Sequence, residues 1–255
     1  MRTLLVLMLF ACCPLSAGAA EFRIETRVYA QGEEAPASQS ITLFADGVAY
    51  DFRDRDYRVT IFRRGVGSKP GRFVLLDTDG ERRTEIGADR VAVVMTKLRR
   101  WAALQEDPFL RFVGDPELKE SFDPSTGELR LESDQLSYRL VTMPVADDEA
   151  LKELRSFLDA FAQLHTLLEA GLPPGPRLRV NEALSRRGVA PVEVELYAGP
   201  IDGEPSLRAD HLITWILSKR DRARIDLASA QLAEFEEVDN AAFQRGPGEL
   251  AMSRE

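Results

Sequence analysis

Polar and apolar residues alternate with a period of two near the start of the chain. Phe22, Ile24, Thr26 and Val28 fall on one side, and Arg23, Glu25 and Arg27 on the other. This is the repeat of a half-buried β-strand. After a polar stretch over 31–39, two strand-like runs at 41–45 and 48–53 flank Asp46-Gly47. An Asp-Gly pair in that position marks a tight hairpin, because glycine accepts positive φ at no steric cost. Val48, Tyr50 and Phe52 then share one face. Tyr57, Val59 and Ile61 predict the next strand, and the runs 73–76 and 82–86 flank a second turn at Asp79-Gly80. The expectation for 21–86 is an antiparallel meander.

The period then changes. Val91, Val94, Met95, Leu98, Trp101 and Ala102 recur at steps of three and four, with Arg90, Lys97, Arg99 and Arg100 between them, which predicts an amphipathic helix. Asp107-Pro108 and Asp115-Pro116 interrupt it. Strands are expected again at 118–122, 128–132 and 136–142, the first two joined by the turn-forming residues 123–127. The clearest helix spans 148–170, with Leu151, Leu154, Phe157, Leu158, Phe161, Leu164 and Leu168 as its stripe. Asp147 is its expected cap and Gly171 its stop. Pro173-Pro174-Gly175-Pro176 reads as a stiff connector. It supplies a sub-domain boundary near 172–177 within one domain over 21–243. Beyond it come a helix over 180–187 closed by Gly188, strands at 192–197 and 211–217, a helix over 220–227, a strand-like piece at 231–238 and a disordered tail over 244–255.

The leading residues follow a different rule. Met1 and Arg2 precede an apolar run over 4–12, then the small residues Ser16-Ala17-Gly18-Ala19-Ala20 and the charged Glu21. That order is a secretory signal peptide, with cleavage expected after Ala20. The run is well short of the roughly twenty residues a helix needs to cross a bilayer. Cys12 and Cys13 are the chain's two cysteines, so the mature chain is cysteine-free, which excludes disulfides and thiol catalysis. The competing reading is a lipobox at Leu9-Phe10-Ala11-Cys12, which would anchor the protein through lipid on Cys12; bulky Phe10 speaks against it. Localisation is therefore expected to be periplasmic or extracellular.

Charge narrows the partners. The chain carries 33 basic and 42 acidic residues, a net charge of −9, which disfavours nucleic acid and anionic membrane surfaces. After the signal is removed, no transmembrane segment is expected.

Catalytic chemistry is hard to find. The two histidines, His165 and His211, lack metal-ligand spacing and read as structural, so neither a zinc site nor a His-dependent triad is expected. Asp51, Asp54 and Asp56 cluster, but Arg53, Arg55 and Arg58 interleave with them and the ligand pattern of a calcium loop is missing. A solvated turn is the expectation there. Gly65, Gly67 and Lys69 lack both the spacing and the following helix of a phosphate loop, and no serine stands in a nucleophile elbow. A carboxylate pair formed only in three dimensions remains open. The reading implies no catalytic residue, metal or cofactor.

What remains is aromatic and aliphatic content on the meander: Phe44, Tyr50, Phe52, Tyr57, Phe62 and Phe73, with Trp101 on the helix that follows. These residues fit an ordinary core. They equally fit an apolar pocket under a curved sheet, whose lining would include Val48, Tyr50, Phe52, Ile61 and Trp101.

The strings "SITLFADGVAYDF", "RVTIFRRG" and "RFVLLDTDGERRTEI", preceded by the signal peptide and followed by an amphipathic helix, resemble the LolA/LolB-like superfamily of exported lipoprotein and lipid carriers. The similarity covers mainly residues 22–101. It implies an α+β fold, a curved antiparallel sheet forming an incomplete barrel with helices packed across its concave side. It also implies a non-enzymatic role, binding a lipid or a lipoprotein acyl chain in the cavity. The alternative is an envelope structural or protein-interaction module without a small-molecule ligand, docking another envelope protein through exposed strand edges.

Overall fold

A computed structural model describes residues 19–54 and 58–245. Residues up to 18 of the expected signal peptide, residues 55–57 of the expected turn and strand, and the tail from 246 onward lie outside the described residues.

The fold is α+β. One twelve-stranded sheet runs in the order β12-β6-β5-β4-β3-β2-β1-β11-β10-β9-β8-β7, and it is not closed. Its first half is the expected meander: β1 (Phe22–Ala30), β2 (Ser38–Ala45), β3 (Val48–Arg53), β4 (Arg58–Arg63), β5 (Arg72–Asp77) and β6 (Arg82–Gly87). Asp46 and Gly47 take φ of 52° and 70° at the β2–β3 turn, as a two-residue hairpin of the primed type requires. A second meander contains β7 (Lys119–Asp123), β8 (Glu128–Glu132) and β9 (Ser137–Pro144), continued by β10 (Val189–Tyr197) and β11 (Leu207–Thr214). The two meet where β11 pairs antiparallel with β1 over Arg23↔Thr214 to Ala30↔Leu207. The first strand of the chain therefore lies inside the sheet, between β2 and β11.

Strand alternation gives the sheet two differently covered faces. On one, Phe22, Phe44, Ala49, Phe62, Phe73 and Leu75 pack with Val91 and Met95 of α1 (Ala88–Ala103) and with Leu154, Phe157 and Leu164 of α3 (Asp148–Leu168). Phe22 and Phe44 stack with centroids 4.0 Å apart, and Phe157 meets the Phe44 ring edge-on at 5.4 Å, the edge-to-face geometry that ring quadrupoles favour. On the other face, Leu43, Val48, Tyr50, Val59, Ile61, Val74 and Leu76 pack with Ile225, Ala228 and Leu232 of α5 (Lys219–Glu234). A third cluster joins Leu129, Leu131, Tyr138 and Leu140 to Val180, Ala183 and Leu184 of α4 (Gly175–Arg187).

Several boundaries differ from expectation for identifiable reasons. Between the two Asp-Pro pairs lies a short helix, α2 (Pro108–Gly114), started by Asp107, whose carboxylate accepts from the backbone N–H groups of Phe109 and Leu110; proline suits a first turn, where its missing donor is no loss. The Pro-rich connector runs directly into α4, which begins at Gly175, where an added Cβ would lie 2.4 Å from the carbonyl oxygen of Val113. Residues 231–234 extend α5 and leave only Glu236–Glu237 as β12, paired in parallel with β6. Gln244 closes the short α6 (Asn240–Gln244), whose Phe243 is buried in the first cluster. Among the described residues no helix is long and apolar enough to cross a membrane.

Candidate functional site

The five expected ligand-lining residues do not line a common hollow. Val48, Tyr50, Phe52 and Ile61 do share a face, with Tyr50 directly opposite Ile61, but helix α5 covers it and Arg224 lies over the Phe52 ring. Trp101, expected on the apolar stripe of α1, is 46% exposed. The aromatic content on that side is packed core.

The open space is on the opposite face. There the C-terminal half of α3 and the sheet bound a cleft of about 680 Å³. Leu158, Phe161, Ala162, His165 and Thr166 of α3, with Glu169 just past its end, form its roof; Thr26, Val28, Ser40, Asp51 and Arg53 form its floor; Pro174 and Arg177 stand at its end. An inner hollow of about 110 Å³ continues between Leu154, Phe157, Val180, Val194 and Ile213, and reaches His211. A smaller one, about 80 Å³, adjoins at Arg53, Phe161 and His165.

Sheet register builds the floor. Arg53 is opposite Ser40, Ser40 opposite Thr26, and Thr26 opposite His211, so one cross-strand row carries four polar side chains. The next row is Asp51, Thr42, Ile24 and Ile213, and the one beyond holds Ala49, Phe44 and Phe22. Apolar floor thus gives way to polar floor along the strands. The α3 stripe that packs on the aromatic rows has nothing to interdigitate with at the polar rows, and the cleft begins there.

The buried polar groups are partly satisfied within the floor. Thr42 Oγ1 donates to Asp51 Oδ1 at 2.8 Å, and the Thr26 hydroxyl lies 3.0 Å from His211 Nδ1. Burial raises the Asp51 carboxyl above the usual carboxylate range, against the hydroxyls of Thr42 and Ser40 and the charge of Arg53, which lower it. Burial lowers His211 to about 4, helped by the charge of Arg177, so its imidazole is neutral at physiological pH. Burial also lowers His165, opposed by Glu169, whose Oε1 is 2.9 Å from His165 Nε2.

Two arginines reach the cleft by different routes. Arg53 ends β3 and lies over the Phe161 ring at 5.8 Å. Arg177 is exposed on the first turn of α4, which is locked to α3 by polar contacts: Asn181 donates to Asp159 Oδ1 at 2.8 Å, while Arg155 pairs with Asp159 and donates to the Asn181 carbonyl. Arg177 makes no hydrogen bond or ion pair among the described residues.

Chemically, this is a mixed container. Its roof is apolar at Leu158, Phe161 and Ala162 and polar at His165, Thr166 and Glu169, its floor offers hydroxyls and a carboxyl whose charge burial suppresses, and the Arg177 guanidinium stands at its end. No group of three or more His, Cys, Asp or Glu that could hold a metal ion occurs among the described residues.

The sequence concealed this site in plain view. Asp51, expected with Asp54 and Asp56 in a solvated turn, alternates with Tyr50 and Phe52 and so faces the opposite side of the same strand, where it is 3% exposed. The readable signal was polarity inside strongly apolar strands: Thr26, Ser40, Thr42 and Asp51. Both histidines, read as structural, line the cleft system. Compared with known proteins, the chain matches no protein-family model and no curated protein.

Proposed function

We propose that the protein is an exported, non-enzymatic carrier of an amphiphilic, lipid-like ligand. In this reading the sheet is curved, its concave side is the α3 side, and the apolar part of the ligand lies under Leu158, Phe161 and Ala162. An anionic head group sits against Arg53 and Arg177. The carrying observation is the cleft itself: about 680 Å³, within the range of small-molecule sites, with Leu158, Phe161 and Ala162 across from the hydroxyls of Thr26 and Ser40. A cation available at the end of such a cleft favours an anionic head. The resemblance of residues 22–101 to the LolA/LolB-like superfamily supports the same class of ligand, a lipid or lipoprotein acyl chain.

The test is displacement of a fluorescent fatty-acid probe, together with mass spectrometry of lipid extracted from purified protein. Ala162→Trp fills the cleft from its roof and is expected to reduce probe binding at least about tenfold with the melting temperature nearly unchanged. Tyr50→Asp, on the face covered by α5, is expected to unfold the protein. Absence of both extracted lipid and probe binding in the wild-type chain overturns the reading.

A further inference from the structure

Glu153 is the unusual acidic residue of α3. Its side chain is buried, the residue being 7% exposed, and its Oε2 has no hydrogen-bond partner among the described residues. The backbone N–H of Ala20 lies near this carboxyl. The other charges near it are the carboxylates of Glu149 and Asp147 and the guanidinium of Arg64, and Arg64 is already paired with Glu149 at 3.1 Å. A buried carboxylate without a cation is costly. Among the described residues, the three carboxylates of Glu153, Glu149 and Asp147 are therefore met by one guanidinium, already paired with Glu149, and one amide.

The chain on either side of that atom is fixed differently. Ala20 is 8% exposed and packs in the same cluster as Ala150 and Leu154, whereas Ala19 is exposed. Glu21 is held on α5 by Arg222 at 2.9 and 2.6 Å, and Phe22 is wholly buried. Burial thus sets in at the Ala19–Ala20 bond. The residues before it, Ala17-Gly18-Ala19, place small side chains at the first and third positions upstream, as a signal-peptide cleavage site requires.

We propose that the mature chain begins at Ala20, one residue earlier than the small-residue run alone suggested, and that its new α-ammonium closes a buried ion pair with Glu153. An endopeptidase of the export route adds water across the Ala19–Ala20 bond; the carboxylate leaves on Ala19, and the amine keeps the proton as an ammonium on Ala20. A cut after Ala20 would instead remove the atom that lies near Glu153. This inference rests on the leader being exported and is independent of what the cleft binds.

Intact-mass measurement on protein recovered from the exported fraction of cells expressing the full sequence is expected to show Ala20 as the first residue. Purified chains test the pair itself. In a chain starting at Ala20, the α-amine is expected to acylate at neutral pH about tenfold more slowly than in the free peptide Ala-Glu-Phe-Arg, the effect of raising its pKa by about one unit from the ordinary range near 8. Glu153→Gln is expected to lower the melting temperature of that chain and to raise it in a chain that retains Ala19, where the substitution removes an unpaired buried carboxylate. A different first residue overturns the proposal, as does an α-amine of peptide-like reactivity, or a Glu153→Gln effect of the same sign in the two chains.

Discussion

His211 shows how far a single side chain can tie stability to acidity. Its imidazole is held neutral by burial, with the pKa lowered from 6.5 to about 4. An unfolded chain takes up a proton between those values and the folded chain does not, so the contribution is complete above 6.5 and is lost as pH falls toward about 4. At about 1.4 kcal/mol per unit the loss is at most about 3.5 kcal/mol. His211→Gln removes the titrating group while keeping a partner for Thr26. Denaturant midpoints measured across this range are expected to fall more steeply for the wild-type protein than for the variant; parallel curves would refute the assignment. Asp51 has the opposite sense, since an acid whose pKa is raised in the fold destabilises it progressively as it ionises. The same pair of residues shows what the sequence could and could not convey. Alternation puts Asp51 and His211 each on a definite strand face, but only register decides that Thr42 lies beside the first and Thr26 beside the second. Register is a property of two strands, and for β1 and β11 those strands are nearly the whole chain apart.

Among the elements, α3 carries most of the site, and its two ends do different things. Asp147 caps the N-terminus by accepting from the N–H groups of Glu149 and Ala150 at 2.8 and 3.2 Å. The N-terminal half packs through Leu154 and Phe157 on the aromatic rows, and the second half roofs the cleft. Asp147→Ala is expected to cost about 1 kcal/mol of stability while leaving probe affinity within about twofold, because the contacts that orient the roof are downstream of the cap. Urea denaturation and probe titration on the same sample check this; a large affinity loss at unchanged stability would show that the helix moves as a unit. Elements with long periodic patterns were legible for good reason: α1, α3, the hairpin at Asp46-Gly47 and the stop at Gly188, which takes the left-handed conformation at φ 67°. The α5 side was not. Its stripe is weak, and nothing local announces that it covers Val48, Tyr50 and Ile61, so those residues read equally as pocket or core. Trp101 misled in the other direction, being apolar, at the right spacing, and exposed.

At the scale of the molecule, the sheet binds the two meanders through β1 and β11, and α3 bridges them on one face. After the Pro-rich segment, α4 is tied to α3 through Asp159 and Asn181 and packs closely on α2 at Gly175. Heat or denaturant is therefore expected to give one cooperative transition, with calorimetric and van't Hoff enthalpies equal. Two resolved transitions would mean that the meanders are separate folding units. Inserting a Pro into β11 at Ala209, opposite Val28, is the sharper form of the test and should destabilise both halves together.

The position of β1 also has a consequence for timing. A strand made first but flanked on one side by β11 remains half-paired until residues as late as Thr214 have been synthesised. Contacts so distant along the chain form slowly, which leaves the growing polypeptide loose for most of its synthesis. Under the proposed export, which threads the chain through a narrow translocation pore, delayed knitting of this kind would keep the thread slack until it reaches the far side.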